Sequence, residues 1–320
     1  MKPLKVQVQI AVLLLFGLIF GISMVALSVR ADPAENESSF SGNGDNRVYD
    51  KVYQVREGGT FSLRADAGDL TLSGTDAQEV SIHVTAEGNE RMLKRFDVSS
   101  SLDGNKVTLR GRMENSFLNW FGDNSLDIRY DVRVPKNFNL TIRTAGGSID
   151  VRNIAGTVDG ETSGGGLEVE GVSGSIRLST SGGDVKVRNL SGTISLETSG
   201  GGINGENISG PLTVKTSGGN IDLRSCDGKI RASTSGGDVR LVANDNKGID
   251  LSTSGGNVTL RMPKSIGADI SAETSGGDVS CDFPVNGRHR DGSLHGTING
   301  GGNSVRLETS GGEIVISPAE

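Results

Sequence analysis

The sequence is poor in the residues that usually build a compact core or an active site. Its 320 residues include two Cys, three His, seven Pro, one Trp, three Tyr and nine Phe. So few aromatic rings exclude an ordinary globular core for a chain of this length. An excess of positive charge is also missing. With 32 Lys and Arg against 39 Asp and Glu the formal net charge is -7, which leaves no basic footprint for nucleic acid. There is no Ser/His/Asp arrangement, no phosphate-binding glycine loop and no zinc-protease motif. The acids are scattered among turns rather than grouped, unlike the clustered acids and bases of solenoid polysaccharide lyases and hydrolases. A non-enzymatic chain without catalytic residues, cofactor or metal is expected.

What is abundant is glycine, with 48 residues, and its placement is periodic. The tetrapeptide Thr-Ser-Gly-Gly, or a near copy, begins at Thr144, Thr162, Thr180, Thr198, Thr216, Thr234, Thr253, Thr274 and Thr309. The first five intervals are 18 residues, and the next three are 19, 21 and 35. A strict period of this length signals one structural unit per repeat, stacked on its neighbours. Each unit divides into two nine-residue halves, as in Thr180–Arg188 and Asn189–Glu197, with Gly fourth and apolar residues sixth and eighth. One turn followed by one short strand satisfies that pattern, because alternate strand residues face the same way. The predicted fold is all-β: a parallel β-solenoid with two short strands per coil of about 18 residues, preceded by an N-terminal transmembrane or signal helix.

The coils stack apolar columns such as Ile149, Leu167, Val185, Ile203, Ile221, Val239, Val258 and Val279. At the ninth place the residues run Arg152, Glu170, Arg188, Glu206, Arg224. Charges that alternate between adjacent strands favour stacking over the gripping of a ligand. The glycine pair is expected to supply the positive φ of a tight corner.

Outside the repeat the chain divides further. Residues 1–31 read as a signal peptide or membrane anchor, with Lys2 and Lys5 ahead of an uncharged run from Ile10 to Leu27. That run could hold the chain in a membrane if uncleaved, and either outcome exports the remainder. Residues 32–47 form a polar linker. Residues 48–135 form an irregular β region or cap, with a short helix started by Asn89 that carries Met92, Leu93 and Phe96 on one face. Residues 136–320 form the regular solenoid, with 282–302 as an inserted loop.

Few residues invite a specific chemistry. The Asp at the fifth place (Asp184, Asp238, Asp278) raises a calcium β-roll, but it directly precedes the apolar position and other coils replace it, so turn chemistry is the simpler account. A single Thr column beside glycines stabilises turns more readily than it binds ice. Cys226 and Cys281 fall three coils apart, about 14 Å by strand spacing, too far for a disulfide, and two buried thiols are expected. His289, Asp291 and His295 lie in a solvated loop without the further ligand a metal needs. His83 has no partner implied. The remaining candidate is the cluster Phe117, Leu118, Trp120 and Phe121, either a contact loop for a membrane, a glycan or a protein, or a cap on the solenoid end.

From about Val48 to Ile316 the chain resembles the bacterial family known as DUF4097, whose members are called "putative adhesins". The resemblance rests on Val134-Pro135-Lys136 leading to Leu140-Thr141-Ile142-Arg143-Thr144, on the serial Thr-Ser-Gly-Gly-x-apolar units, and on Gly300-Gly301-Gly302 followed by Leu307-Glu308-Thr309-Ser310-Gly311-Gly312-Glu313-Ile314. It implies an exported or membrane-anchored β-solenoid and supplies no catalytic residues. The expected role is adhesion or scaffolding at the cell envelope, with an envelope protein or surface glycan as partner. Alternatives are an accessory component of envelope-stress signalling and a calcium-binding β-roll.

Overall fold

The computed structural model describes residues 46–114 and 126–319. The targeting segment, the linker up to residue 45 and the cluster Phe117, Leu118, Trp120 and Phe121 lie outside the described residues. No helix among the described residues is long and apolar enough to cross a membrane.

The described residues form 26 strands in one hydrogen-bonded network that folds into two faces. Between Asn139 and Thr253 each coil adds one strand to each face in parallel, and the register holds except for a one-residue shift between Arg224 and Cys226 against Val239–Ala243. Leu167 sits between Ile149 and Val185, and Ile176 between Val158 and Ile194. Val185–Thr198 is one unbroken strand that belongs to both faces. Inward residues of the coils are mostly Val, Ile and Leu, joined by Cys226, Ala232 and Ala243, and are almost completely buried, whereas the large buried rings Phe61, Tyr130 and Phe138 lie before the regular coils begin.

Both ends break the sequential order. At the N-terminal end Thr60–Ala65 lies between Lys106–Met113 and Asn139–Thr144, and Asp69–Thr75 lies between Asp127–Pro135 and Ile149–Arg152. At the other end the order is Ile249–Thr253, then Asn303–Thr309, then Ala268–Thr274 on one face. On the opposite face it is Val258–Met262, then Ile314–Pro318, then Val279–Cys281. The chain skips one coil width, builds the outer coil, and returns to fill the slot. Ile314, not Val279, is therefore the neighbour of Val258. The extra residues between Met262 and Ala268 explain how the skip is possible, since one additional strand spacing of about 4.8 Å needs only one or two extended residues. Asn246 and Asn303 fasten the returning segment through reciprocal side-chain to carbonyl bonds of 2.8 and 2.9 Å.

Two local expectations are corrected. The helix spans only Glu90–Leu93, capped by Asn89, whose Oδ1 accepts from the Met92 N–H at 2.9 Å. Phe96 instead begins the strand Phe96–Asp103, paired antiparallel with Lys106–Met113. The segment 282–302 is not a loop but an antiparallel hairpin of Val285–Arg290 and Ser293–Ile298, and the second strand extends the face through Ala268–Thr274. Its alternation is hidden from the sequence because Gly287 and Gly296, on a tight two-strand ribbon, occupy places where apolar residues would mark a strand.

Candidate functional site

The recurrent tetrapeptide is built into the stacking itself. Thr198 Oγ1 donates to the Gly183 carbonyl of the preceding coil at 2.9 Å and accepts from the Gly201 N–H of its own coil at 3.3 Å. The same pair of bonds recurs at Thr162, Thr180, Thr216, Thr234 and Thr253. Thr309 donates to Gly256 and Thr274 to Gly312, which carries the ladder through the reordered end. All of these threonines are buried except Thr274, which is half-buried, so the column is interior and its threonine hydroxyls are used between coils.

The second glycine of each pair does not adopt positive φ in the regular coils; Gly183, Gly201, Gly219 and Gly237 are absent from that region of backbone space. It is required by close approach. A Cβ on Gly201 would lie 2.1 Å from the Gly183 carbonyl oxygen. Positive φ falls at the opposite corner, on Asn153, Asn189, Asn207 and Ser225 and on Gly174, Gly192, Gly210 and Gly228. Asn tolerates the left-handed region better than most side chains, which accounts for its recurrence there.

The fifth-place residues also have a backbone task. Asp184 Oδ1 accepts from Gly202 N–H at 2.8 Å, Asn220 Oδ1 from Asp238 N–H at 2.8 Å, Asp238 Oδ1 from Asn257 N–H at 2.9 Å, and Asn257 Oδ1 from Glu313 N–H at 2.8 Å. Asp and Asn serve equally because each offers an oxygen of the same reach. That equivalence explains their interchange and gives Asp184 and Asp238 a role that needs no ion.

The charged column at the ninth place alternates in register as predicted. Only part of the charge is used between coils. Arg188 and Glu206 approach at 3.7 Å, whereas Arg152 and Arg224 turn along their own strands to Asp150 and Asp222. The cysteines are both free, with Cys226 buried and Cys281 only half-buried. Ile314–Pro318 stands between Val258–Met262 and the strand of Cys281, so four strand spacings separate the two cysteines rather than three. Burial pushes the Cys226 thiol up to about 12.

Of the histidines, His83 does have a partner: its Nδ1 lies 2.6 Å from Asp50 Oδ1. His289 lies across the hairpin from Leu294, and its Nε2 is 2.9 Å from the Val279 carbonyl. His295 lies across from Arg288 and approaches Glu273 at 3.4 Å. Strand alternation therefore sends the two imidazoles to opposite faces of the hairpin; His289 and Asp291 line one hollow, and His295 is not part of it.

Two concave places on the outer surface were not marked by sequence pattern. Near the C-terminal end the hairpin tip folds onto the corner, where the Thr274 N–H donates to the Gly292 carbonyl at 2.8 Å. The groove beside it is lined by Ser254, Ser275, Ser310, Glu273, Glu308 and Asp291. At the other end Arg64, Arg110 and Arg112 line a shallow cleft with Asp66, Gly111 and Met113. Arg64 and Arg110 are register partners on adjacent strands although 46 residues apart. No spacing rule in the sequence could have joined them.

The family model described as Toastrack DUF4097 matches residues 59–317. No curated protein matches the chain. Among solved structures, a "putative lipid binding protein" from Parabacteroides distasonis is similar over 87% of this chain and 98% of its own, at 14% identity and a TM-score of 0.43. A "putative adhesin" from Parabacteroides merdae covers 87% and 98% at 11% identity and a TM-score of 0.40.

Proposed function

The chain belongs to the Toastrack DUF4097 family, and from that premise we propose that it is a non-enzymatic protein of the cell envelope that presents a rigid β-solenoid for adhesion or scaffolding. The observation that supports this reading is the corner ladder. From Thr162 to Thr309 the threonine hydroxyls that could have formed a repeated binding motif are bonded to a glycine carbonyl of the neighbouring coil. Polar side chains used in this way make a stiff stack and leave recognition to the outward faces and the two ends. Stiffness favours binding because little conformational entropy is lost when a partner docks. Export follows from the apolar run Ile10 to Leu27 behind two lysines.

The test is binding of the full-length chain to intact cells, envelope glycans and envelope proteins, with each ligand checked for chemical change. Saturable binding without turnover is expected. Absence of binding across the panel, or turnover of any member, would overturn the reading.

A further inference from the structure

We propose that Arg64, Arg110 and Arg112 form a binding site for a phosphate group. The proposal goes beyond adhesion or scaffolding, because it names a ligand chemistry and a place and does not depend on export.

Stacking does not explain the placement of these arginines. Arg64 is the register partner of Arg110 on one side and of Arg143 on the other, so three cations follow one another at about 4.8 Å. Like charges directly opposite each other on neighbouring strands are destabilising. Arg143 is compensated: its guanidinium meets Asp159 at 2.6 Å and Glu161 at 3.0 Å. Arg64 and Arg110 have no such partner among the described residues, and the other strand neighbour of Arg110 is Ser99. Arg112 follows Arg110 on the same side of its strand, and its cross-strand neighbour is Asp97.

The carboxylate among the residues that line the cleft is Asp66. Its Oδ2 accepts from the Met113 N–H at 2.9 Å, which leaves three cations against one carboxylate in the cleft. Arg64, Arg110 and Arg112 are all exposed, and they line one concavity with Gly111. Ser62, Ser99 and Thr108 surround the pair and add neutral donors. Guanidinium groups offer planar forks of N–H donors that match two oxygens of one tetrahedral anion. Two adjacent forks and a third one step along the strand suit a phosphate better than a single carboxylate, which has only two oxygens to share.

Such a group could be free inorganic phosphate or the headgroup of an anionic phospholipid, and the experiment separates these. The full-length chain is titrated with inorganic phosphate by calorimetry, with acetate as the comparison. It is then sedimented with vesicles of phosphatidylglycerol or of phosphatidylcholine. R64Q, R110Q and the double variant are compared with R261Q, an exposed arginine outside the cleft, and with R64K/R110K, which keeps charge and loses the fork. The expected result is at least tenfold weaker phosphate or phosphatidylglycerol binding in the double variant, an intermediate loss in R64K/R110K and no change in R261Q. Binding of phosphate assigns a free anion; binding of phosphatidylglycerol vesicles alone assigns a headgroup. If neither probe binds, if acetate binds as well as phosphate, or if the double variant binds like R261Q, the proposal is wrong. Circular dichroism of each variant confirms that the surface changes leave the fold intact.

Discussion

Ala substitutions within one glycine pair separate the two explanations for the recurrent corner. On Gly200 a Cβ would lie 3.5 Å from the nearest atoms, the Gly182 and Ser181 carbonyl oxygens, which is ordinary contact. On Gly201 it would lie 2.1 Å from the Gly183 oxygen and 2.5 Å from the Gly183 carbon, both backbone. The neighbouring coil would have to move away by roughly 1 Å, an overpacking cost of about 1–3 kcal/mol. The same movement stretches the Thr198 bonds to Gly183 and Gly201, each worth about 0.5–1.5 kcal/mol net. G201A should therefore lose about 3 kcal/mol, and G200A should stay within about 0.5 kcal/mol of the parent. Urea denaturation followed by circular dichroism measures both, and amide exchange at the corners of adjacent coils locates the damage. Equal losses in the two variants would refute close approach as the reason for the second glycine.

Four further outcomes follow from the same geometry. T198V leaves the Gly183 carbonyl and the Gly201 N–H without their shared hydroxyl and should cost about 1–3 kcal/mol in a denaturant titration. A chain ending at Gly302 lacks the segment that fills the slot between Ile249–Met262 and Ala268–Cys281; its melting temperature should fall, and a peptide of residues 303–318 should restore it by adding strands to two open edges. Cys226 should resist alkylation at pH 8 until denaturant is added. Because its folded-state thiol is pushed up to about 12, the stability it confers is complete below the ordinary thiol range and is lost as pH rises from about 9 to 12; C226A should flatten that part of the stability profile. With Asp184 and Asp238 bonded to backbone N–H groups, calcium and a chelator should give the same melting curve, and a shift would restore the β-roll reading.

The repeat, the two strands per coil, the aliphatic columns and the corners were legible in the sequence because each depends on contacts between units 18 residues apart, which periodicity records directly. Ile149, Leu167 and Val185 could be aligned without coordinates for that reason. Period alone determines which residue faces inward; it carries no information about how closely two backbones approach. Only the tertiary structure showed that Gly201 is needed for contact with Gly183 rather than for its own φ, and that the buried threonines bridge coils. It also decided the order of the ends. A returning segment such as Asn303–Pro318 has the same local pattern whether it stacks last or fills a slot, and the competition is settled by which open strand edges it can pair. The juxtaposition of Arg64 with Arg110 is of the same kind, a product of strand order at the N-terminal end. The sequence by itself therefore determined the coil, and tertiary pairing decided how the coils close and what their ends place together.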